Sequence, residues 1–190
     1  MQQRSEAGRS QSEPADQRLA RWHAALETAR ARLAPAGVAA LEDVRRRSGY
    51  EFLEAIGRGE LPSVPIGHAL DFWPVELEPG RVVFQGTPHA SHRNPLGTVH
   101  GGWIATLLDS AVACAVQSMV PAGSGSTTLE LKINYVRALS AGAGPVRAEG
   151  EVIQVGSRVG TAEGRLTDAS GRLYAFATTT CLVFPLEQGG

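Results

Sequence analysis

The sequence His92-Arg-Asn-Pro-Leu-Gly-Thr-Val-His-Gly-Gly-Trp-Ile-Ala-Thr-Leu-Leu-Asp-Ser-Ala-Val-Ala-Cys-Ala-Val-Gln-Ser-Met119 is the most informative part of the chain. It predicts a glycine-rich loop that opens into a long helix, because apolar residues recur at helical spacing around most of the helix circumference. Asp109 lies in the middle of this helix. A carboxylate in apolar surroundings must find hydrogen-bond donors, become neutral or serve chemistry. Asp109 is therefore a candidate catalytic residue, with a structural carboxylate bonded to Thr106 or Ser110 as the alternative.

Two glycines, Gly101 and Gly102, stand at the predicted start of this helix. The first backbone N–H groups of a helix have no intrahelical acceptor, and they lie at the positive end of the helix dipole. Without a Cβ, these two positions leave the N–H groups open to a ligand. The helix start is thus suited to bind a developing oxyanion.

The pattern His-x-Asn-x-x-Gly-x-x-His-Gly-Gly, with Asn94 fifteen residues before Asp109, resembles the PaaI-type, phenylacetate-pathway branch of the hotdog-fold acyl-CoA thioesterases. The resemblance extends roughly from Leu61 to Pro185. It implies an α+β hotdog fold, in which an antiparallel sheet wraps around a central helix. It also implies a thioester hydrolase that releases a free acid and coenzyme A, with aryl or arylacetyl groups favoured and medium-chain acyl groups as a further option.

The same resemblance implies roles for individual residues. Asp109 would act as general base or nucleophile, and the Gly101 N–H would polarise the thioester carbonyl. Asn94 would bind substrate or water, although an Asn before a proline is often only a turn former. Thr128 would orient the water, with Thr127 as the alternative because the preceding loop is one residue longer than usual. Asn94 and Gly101 would come from one subunit and Asp109 and Thr128 from the other, so the resemblance implies a homodimer or a dimer of dimers.

A second set of residues is expected to contact the substrate. His100 is expected to fix the loop by hydrogen bonding, with a role as general base as the alternative, and it is predicted with Gly102 to bind substrate. The phosphates of coenzyme A would approach a positively charged strand end and a glycine-flanked bend, where guanidinium and backbone N–H groups suit their charge. These residues are Arg137, Gly156, Ser157 and Arg158. No cofactor is expected, because coenzyme A is part of the substrate.

Composition narrows the partners and the compartment. The 190 residues carry a net charge of −1 and a pI near 6.5, which gives no basic field for nucleic acid. No apolar run approaches the roughly 18 residues of a membrane span, and the N-terminus lacks the apolar segment of a signal peptide, so we expect a cytoplasmic protein. His89, His92 and His100 match no common zinc-ligand spacing, and we expect no metal site. Cys114 and Cys181 are expected to be reduced and buried, where each packs as a small apolar residue.

The chain divides into three predicted parts. Residues 1–15 have too few apolar side chains to order and are expected to be disordered. Residues 16–60 predict a helical extension, with one helix from an N-cap at Asp16, a second that includes Val38 and Leu41, and a third over 50–56. Residues 61–186 predict the hotdog domain. Its strands are a hairpin of 69–76 and 81–85, with Pro74 at an edge or bulge, followed by runs starting at 129, 146, 159 and 173.

Three alternatives to a thioesterase remain open from the sequence. The first is a hotdog protein that binds acyl-CoA without catalysis, as a sensor or regulator. The second is the hydratase branch of hotdog proteins, although no His follows Asp109 at helical spacing. The third concerns the extension, where Arg45, Arg46 and Arg47 in a turn between helices suggest a DNA-binding helix-turn-helix. Acidic residues interspersed in the same region favour a packed helical appendage instead.

Overall fold

One long helix, α5 (Gly101–Gln117), lies at the centre of the fold, and a six-stranded antiparallel sheet wraps around it. The computed structural model describes residues 13–186. The remaining elements are α1 (Ala15–Arg32), α2 (Leu41–Arg46), α3 (Gly49–Gly57), α4 (Pro65–Leu70), β1 (Phe72–Glu78), β2 (Arg81–Gly86), β3 (Ser124–Tyr135), β4 (Val146–Val155), β5 (Val159–Asp168) and β6 (Leu173–Pro185), together with a short 3-10 helix at Ala90–His92. The strand order is β1-β2-β4-β5-β6-β3. This architecture confirms the predicted α+β hotdog fold.

The core forms where α5 lies against the concave face of the sheet. Leu107, Leu108, Ala111 and Val112 are completely buried there, and burying each leucine stabilises the fold by roughly 1.5–3 kcal/mol. The sheet approaches the helix closely because a glycine faces it: a Cβ on Gly150 would lie 2.4 Å from the Ala111 carbonyl oxygen. The opposite side of α5, which includes Asp109, is only partly covered.

A bulge in β3 changes which side chains face α5. Thr128 pairs with Cys181 and Glu130 pairs with Thr180, so Leu129 is an extra residue between two register positions. Leu129 is 61% exposed, whereas the sequence pattern predicts it on the apolar face with Leu131 and Ile133. The bulge shifts the alternation by one residue. The prediction for Leu129 is therefore wrong, and the shift directs Thr128 towards the helix.

The helical extension packs on the hotdog domain through a buried polar network. Trp22 of α1 is buried, and its carbonyl accepts a 3.0 Å hydrogen bond from Gln85 Nε2. The Arg147 guanidinium lies 4.6 Å from the centre of the Trp22 ring, donates to Gln85 and is paired with Glu76. Burial lowers the pKa of Arg147, and Glu76 opposes this effect. Within residues 13–186, Arg147 Nη2 has no hydrogen-bond partner.

A second contact joins the extension to the end of α5. The Gly49 N–H donates to the Val120 carbonyl at 2.8 Å. A Cβ at Gly49 would lie 1.7 Å from the Gln117 carbonyl oxygen, so only glycine allows this approach. Ser48 caps α3 through a reciprocal capping box with Glu51. The extension is thus packed against both the sheet and the central helix.

Several predicted boundaries differ from the observed ones. Asp16 lies in the first turn of α1, and Pro14 takes the N-cap position. The second helix is shorter than predicted and leaves Val38 88% exposed before its start. The prediction that the first strand starts at residue 69 is wrong, because residues 69–70 end α4 and β1 starts at Phe72. Pro65 at the first helical position favours the start of α4. The predicted disorder of residues 1–12 lies outside the described residues, and it is wrong for Pro14 and Ala15, which begin α1.

The sheet edge and the arginine-rich turn of the extension also bear on the predictions. The register of β1 shifts between Pro74 and Glu76 at the sheet edge, which confirms the predicted bulge. Arg46 and Arg47 both pair with Asp43 and lower its pKa. Among the described residues, no helix is long and apolar enough to cross a membrane.

Candidate active site

The carboxylate of Asp109 is held by β3. Thr128 Oγ1 donates a 3.0 Å hydrogen bond to Asp109 Oδ1, and both side chains are partly buried. Thr127, the alternative from the sequence, is exposed. The bulge at Leu129 explains this choice, because it keeps Thr128 on the side of the strand that faces α5. The hydroxyls of Thr106 and Ser110 donate to helix carbonyls and not to Asp109. The structural alternative, a carboxylate bonded to Thr106 or Ser110, is therefore wrong.

The start of α5 is organised by His100. Its Nδ1 accepts the Gly102 N–H at 2.8 Å, which makes His100 the N-cap and places its ring hydrogen on Nε2 when neutral. This bond agrees with the loop-fixing role expected for His100. It occupies the Gly102 N–H, whereas the Gly101 N–H lies at the first helical position, where no intrahelical acceptor exists.

Tyr135 is a site neighbour that the sequence reasoning did not identify. Its hydroxyl donates a 2.9 Å hydrogen bond to the Gly101 carbonyl, and a Cβ on Gly101 would lie 3.2 Å from the Tyr135 ring. Partial burial raises the pKa of Tyr135. The sequence contained one signal for this contact, a tyrosine at the end of a predicted strand with an apolar face. Tyr135 fixes the backbone of Gly101 from the far end of β3.

Asn94 builds the loop before α5. Its Oδ1 accepts the N–H groups of Leu96 and Thr98, and its Nδ2 donates to Thr98 Oγ1. Gly97 closes the turn with a φ of 83°, which favours glycine. Asn94 therefore acts as a turn former in this chain, and one Nδ2 hydrogen remains for a ligand. Its contact with substrate stays a prediction.

The expected substrate contacts lie at two ends of the molecule. Arg137 lines a small cleft of about 360 Å³ together with Gly101 and Tyr135. The bend formed by Gly156, Ser157 and Arg158 lies at the other end, where the Val183 N–H donates to the Arg158 carbonyl and Val183 pairs with Ser126. Within one chain, Arg137 therefore lies near Gly101, whereas the bend lies near the end of β3 that carries Thr128.

The two cysteines are free thiols. Cys181 is buried, and Cys114 lies on α5, partly covered. Burial, reinforced by the negative charge of Asp109, raises the pKa of Cys114 to about 12. A thiol with so high a pKa stays protonated near neutral pH and is a poor nucleophile. Cys114 therefore contributes an apolar surface close to the Asp109 carboxylate.

Ser63 and His68 form a second hydroxyl–imidazole pair, at 2.6 Å. Ser63 Oγ also lies 2.7 Å from the Ala34 carbonyl oxygen, to which it donates its single hydrogen. Because that hydrogen is used, His68 Nε2 must be the donor to Ser63 and cannot act as its base. The pair joins α4 to the segment after α1. Among the described residues, no three His, Cys, Asp or Glu side chains are grouped to hold a metal.

Comparison with known proteins agrees with the fold and with the motif. The family model described as “Thioesterase superfamily” matches residues 96–175. A putative esterase of Saccharolobus solfataricus is 33% identical over 108 residues, which is 57% of this chain and 75% of the relative. One of Halobacterium salinarum is 41% identical over 69 residues, 35% of this chain, and the match spans only 44% of that relative's length.

Solved structures give the same result. A variant of the phenylacetic acid degradation protein PaaI from Thermus thermophilus is 31% identical, with a TM-score of 0.57 over 62% of this chain and 97% of that one. The residues that the family model matches lie within the hotdog domain, and they do not include the helical extension. By sequence and by fold, the chain belongs to the thioesterase superfamily, within its PaaI-like hotdog branch.

Proposed function

We propose that this protein is an acyl-CoA thioesterase whose active sites are shared between two subunits. The observation that supports this proposal best is the Asp109 carboxylate, which is partly buried on an apolar helix and bound by Thr128. Hydrolysis of a thioester requires an activated water or a carboxylate nucleophile, together with donors for the oxyanion. Asp109 and the Gly101 N–H supply these two functions.

The spacing of the two groups favours a shared site. Asp109 follows Gly101 by eight residues, which corresponds to about 12 Å along the helix axis. One thioester carbonyl cannot contact both groups of the same chain. The two groups are also contacted from different parts of β3, because Thr128 contacts Asp109 and Tyr135 contacts Gly101. A twofold axis beside β3 and α5 would bring the Gly101 end of one subunit to the Asp109 end of its partner.

The proposed reaction proceeds at such a composite site. Asp109 takes a proton from water, whose oxygen adds to the thioester carbon while the carbonyl oxygen becomes negative beside the Gly101 N–H of the other subunit. The intermediate then collapses with cleavage of the C–S bond, and the thiolate of coenzyme A takes up the proton. In the alternative route, Asp109 itself attacks the carbonyl carbon, expels the thiolate, and water hydrolyses the resulting anhydride.

A turnover assay tests the function. The wild-type protein should hydrolyse members of a panel of aryl, arylacetyl and alkyl CoA thioesters, with free coenzyme A as the readout. Asp109→Asn keeps the size of the side chain and should lower kcat by about 10²-fold or more, with little change in melting temperature. Glu163→Gln, an exposed carboxylate on β5, is the matched control and should retain full turnover. Tight binding of the thioesters without turnover by the wild type would instead identify an acyl-CoA-binding protein.

A complementation assay tests the shared site. Asn94→Ala and Asp109→Asn subunits, each inactive alone, are mixed under conditions in which subunit exchange is verified. Each mixed dimer should regain one of its two sites, or about a quarter of all sites after statistical exchange. Activity that stays at the level of the separate variants would show that each chain builds its own site.

A further inference from the structure

A partly open cavity of about 680 Å³ lies between the helical extension and the hotdog domain. Its outer wall is formed by α1 and α3, which contribute Ala25, Ala29 and Leu53. Its inner wall is formed by the sheet and by two residues of α5, Ser110 and Cys114. The family match begins at residue 96, so the outer wall belongs to the part of the chain that the family does not explain.

The inner wall shares the middle of α5 with the candidate catalytic carboxylate, which does not itself line the cavity. Ser110 is the residue after Asp109, and Cys114 follows about one turn later. The Ser110 hydroxyl donates to the Thr106 carbonyl, so its hydrogen is already used. The Cys114 thiol is protonated, as described above. Both side chains therefore offer the cavity an uncharged surface, one residue and five residues after Asp109 along α5.

The cavity is too large for a single aromatic ring. An apolar cavity of about 150 Å³ is sufficient for benzene, and the present volume of about 680 Å³ is more than four times larger. It falls in the range of roughly 300–1,000 Å³ that accommodates larger ligands. The alanines on α1 leave space that phenylalanine or leucine would fill, so the length of the cavity is determined by small residues of the extension.

We propose that this cavity is the acyl pocket and that it accepts alkyl acyl chains on the order of ten carbons or longer. The extension thereby acts as the specificity element, with Ala25 and Ala29 as residues that determine chain length. The inference rests on the proposed thioesterase function, because it identifies the substrate class of the same site. It departs from the aryl or arylacetyl group that the family resemblance implies.

The test fills the cavity from the side of the extension. Ala29→Phe should lower kcat/KM for dodecanoyl-CoA at least tenfold and change kcat/KM for phenylacetyl-CoA less than threefold. Ala31→Phe is the matched control, since Ala31 is exposed on the same helix and does not line the cavity. It should leave both values unchanged. If Ala29→Phe lowers the melting temperature, Ala25→Leu makes a smaller filling change. An unchanged ratio of the two kcat/KM values in both folded variants overturns the proposal.

A binding experiment separates this inference from the proposed function. Dodecyl-CoA thioether, which cannot be hydrolysed, should bind the Asp109→Asn protein at least tenfold more tightly than coenzyme A in calorimetry. Ala29→Phe should remove that difference. If the wild type hydrolyses no thioester but shows this binding pattern, the proposed function fails and the pocket stands. If hydrolysis depends on Asp109 but the thioether binds no better than coenzyme A, the pocket assignment fails and the function stands.

Discussion

The two edges of the sheet are built differently. The β1 edge is short, interrupted by Pro74 and a bulge, and contacted by α1, α3 and α4. The β3 edge is a strand of 12 residues without proline; it carries exposed apolar side chains at Leu129 and Tyr135, and the exposed Val136 follows it. Folded proteins avoid long open edges of this kind unless another strand or chain pairs with them.

This difference indicates that the two edges of the sheet contact different partners. The β1 edge is closed within the chain by its own extension. The β3 edge borders the two halves of the candidate site, since Thr128 contacts Asp109 and Tyr135 contacts Gly101. A second subunit at the β3 edge would satisfy the open backbone groups and complete the site. The β1 edge would then control substrate size, and the β3 edge would control catalysis.

The largest expected effect comes from a charge on the open edge. Leu129→Glu should shift the protein to monomers in sedimentation velocity and lower thioester turnover by about 10²-fold or more, because the shared site is lost together with the dimer. Ile153→Glu is a close control: Ile153 is also an apolar residue at a register shift, and its exposure is 60% against 61% for Leu129. It should remain dimeric and active. A fully active, monomeric Leu129→Glu variant would contradict the role given to this edge.

A smaller effect is expected at the threonine that holds the carboxylate. Thr128→Val removes the hydrogen bond to Asp109 and should lower kcat by about 10- to 100-fold, since a bond to a charged group is worth about 1.5–3 kcal/mol. Thr127→Val makes the same change on the exposed side of the strand and should alter kcat less than twofold. Equal losses in the two variants would indicate a general effect on β3 and not an orienting contact with Asp109.

Much of the fold could be predicted from one pattern. The apolar periodicity of α5 requires burial on most sides of the helix, and β4 starts at the predicted residue, Val146. The β3 bulge was not predictable, because an extra residue in a strand leaves no mark in alternation until the partner strand is known. Leu129 was consequently assigned to the wrong face, and only the register of β3 against β6 decides between Thr127 and Thr128.

The candidate site was predictable only where the motif is local. Asp109 and Gly101 share one helix, so spacing alone fixes their separation. Tyr135 reaches Gly101 from a residue 34 positions later in the chain, and such long-range contacts have no local signal. The buried Arg147, Gln85 and Trp22 network was missed for the same reason, because its members come from three distant segments. Those contacts attach α1, which forms part of the outer cavity wall, to the sheet.

The smallest expected effect concerns Asp71, which joins the closed edge to the loop before α5. Burial alone would raise the pKa of Asp71, but hydrogen bonds from His89 and Arg30 outweigh it and lower the pKa. Arg30 belongs to α1, and His89 precedes the Asn94 loop. Asp71 has a φ of 53°, a conformation that Asn also tolerates. Asp71→Asn should therefore remove the charge without changing the backbone.

The pH dependence of this variant provides the measurement. A carboxylate whose pKa is lower in the folded state stabilises the fold above the ordinary value of about 3.9, and that contribution disappears as the pH falls through the lowered pKa. Urea unfolding at pH 7 should show Asp71→Asn less stable than wild type by about 1 kcal/mol, a value reduced by the partial exposure of the pair. The difference should shrink as the pH falls below about 3.9 and through the lowered pKa of Asp71. Glu27→Gln changes an exposed carboxylate on α1 and should show no such trend. A loss of stability in Asp71→Asn that stays constant with pH would mean that the charge of Asp71 does not join α1 to the loop before α5.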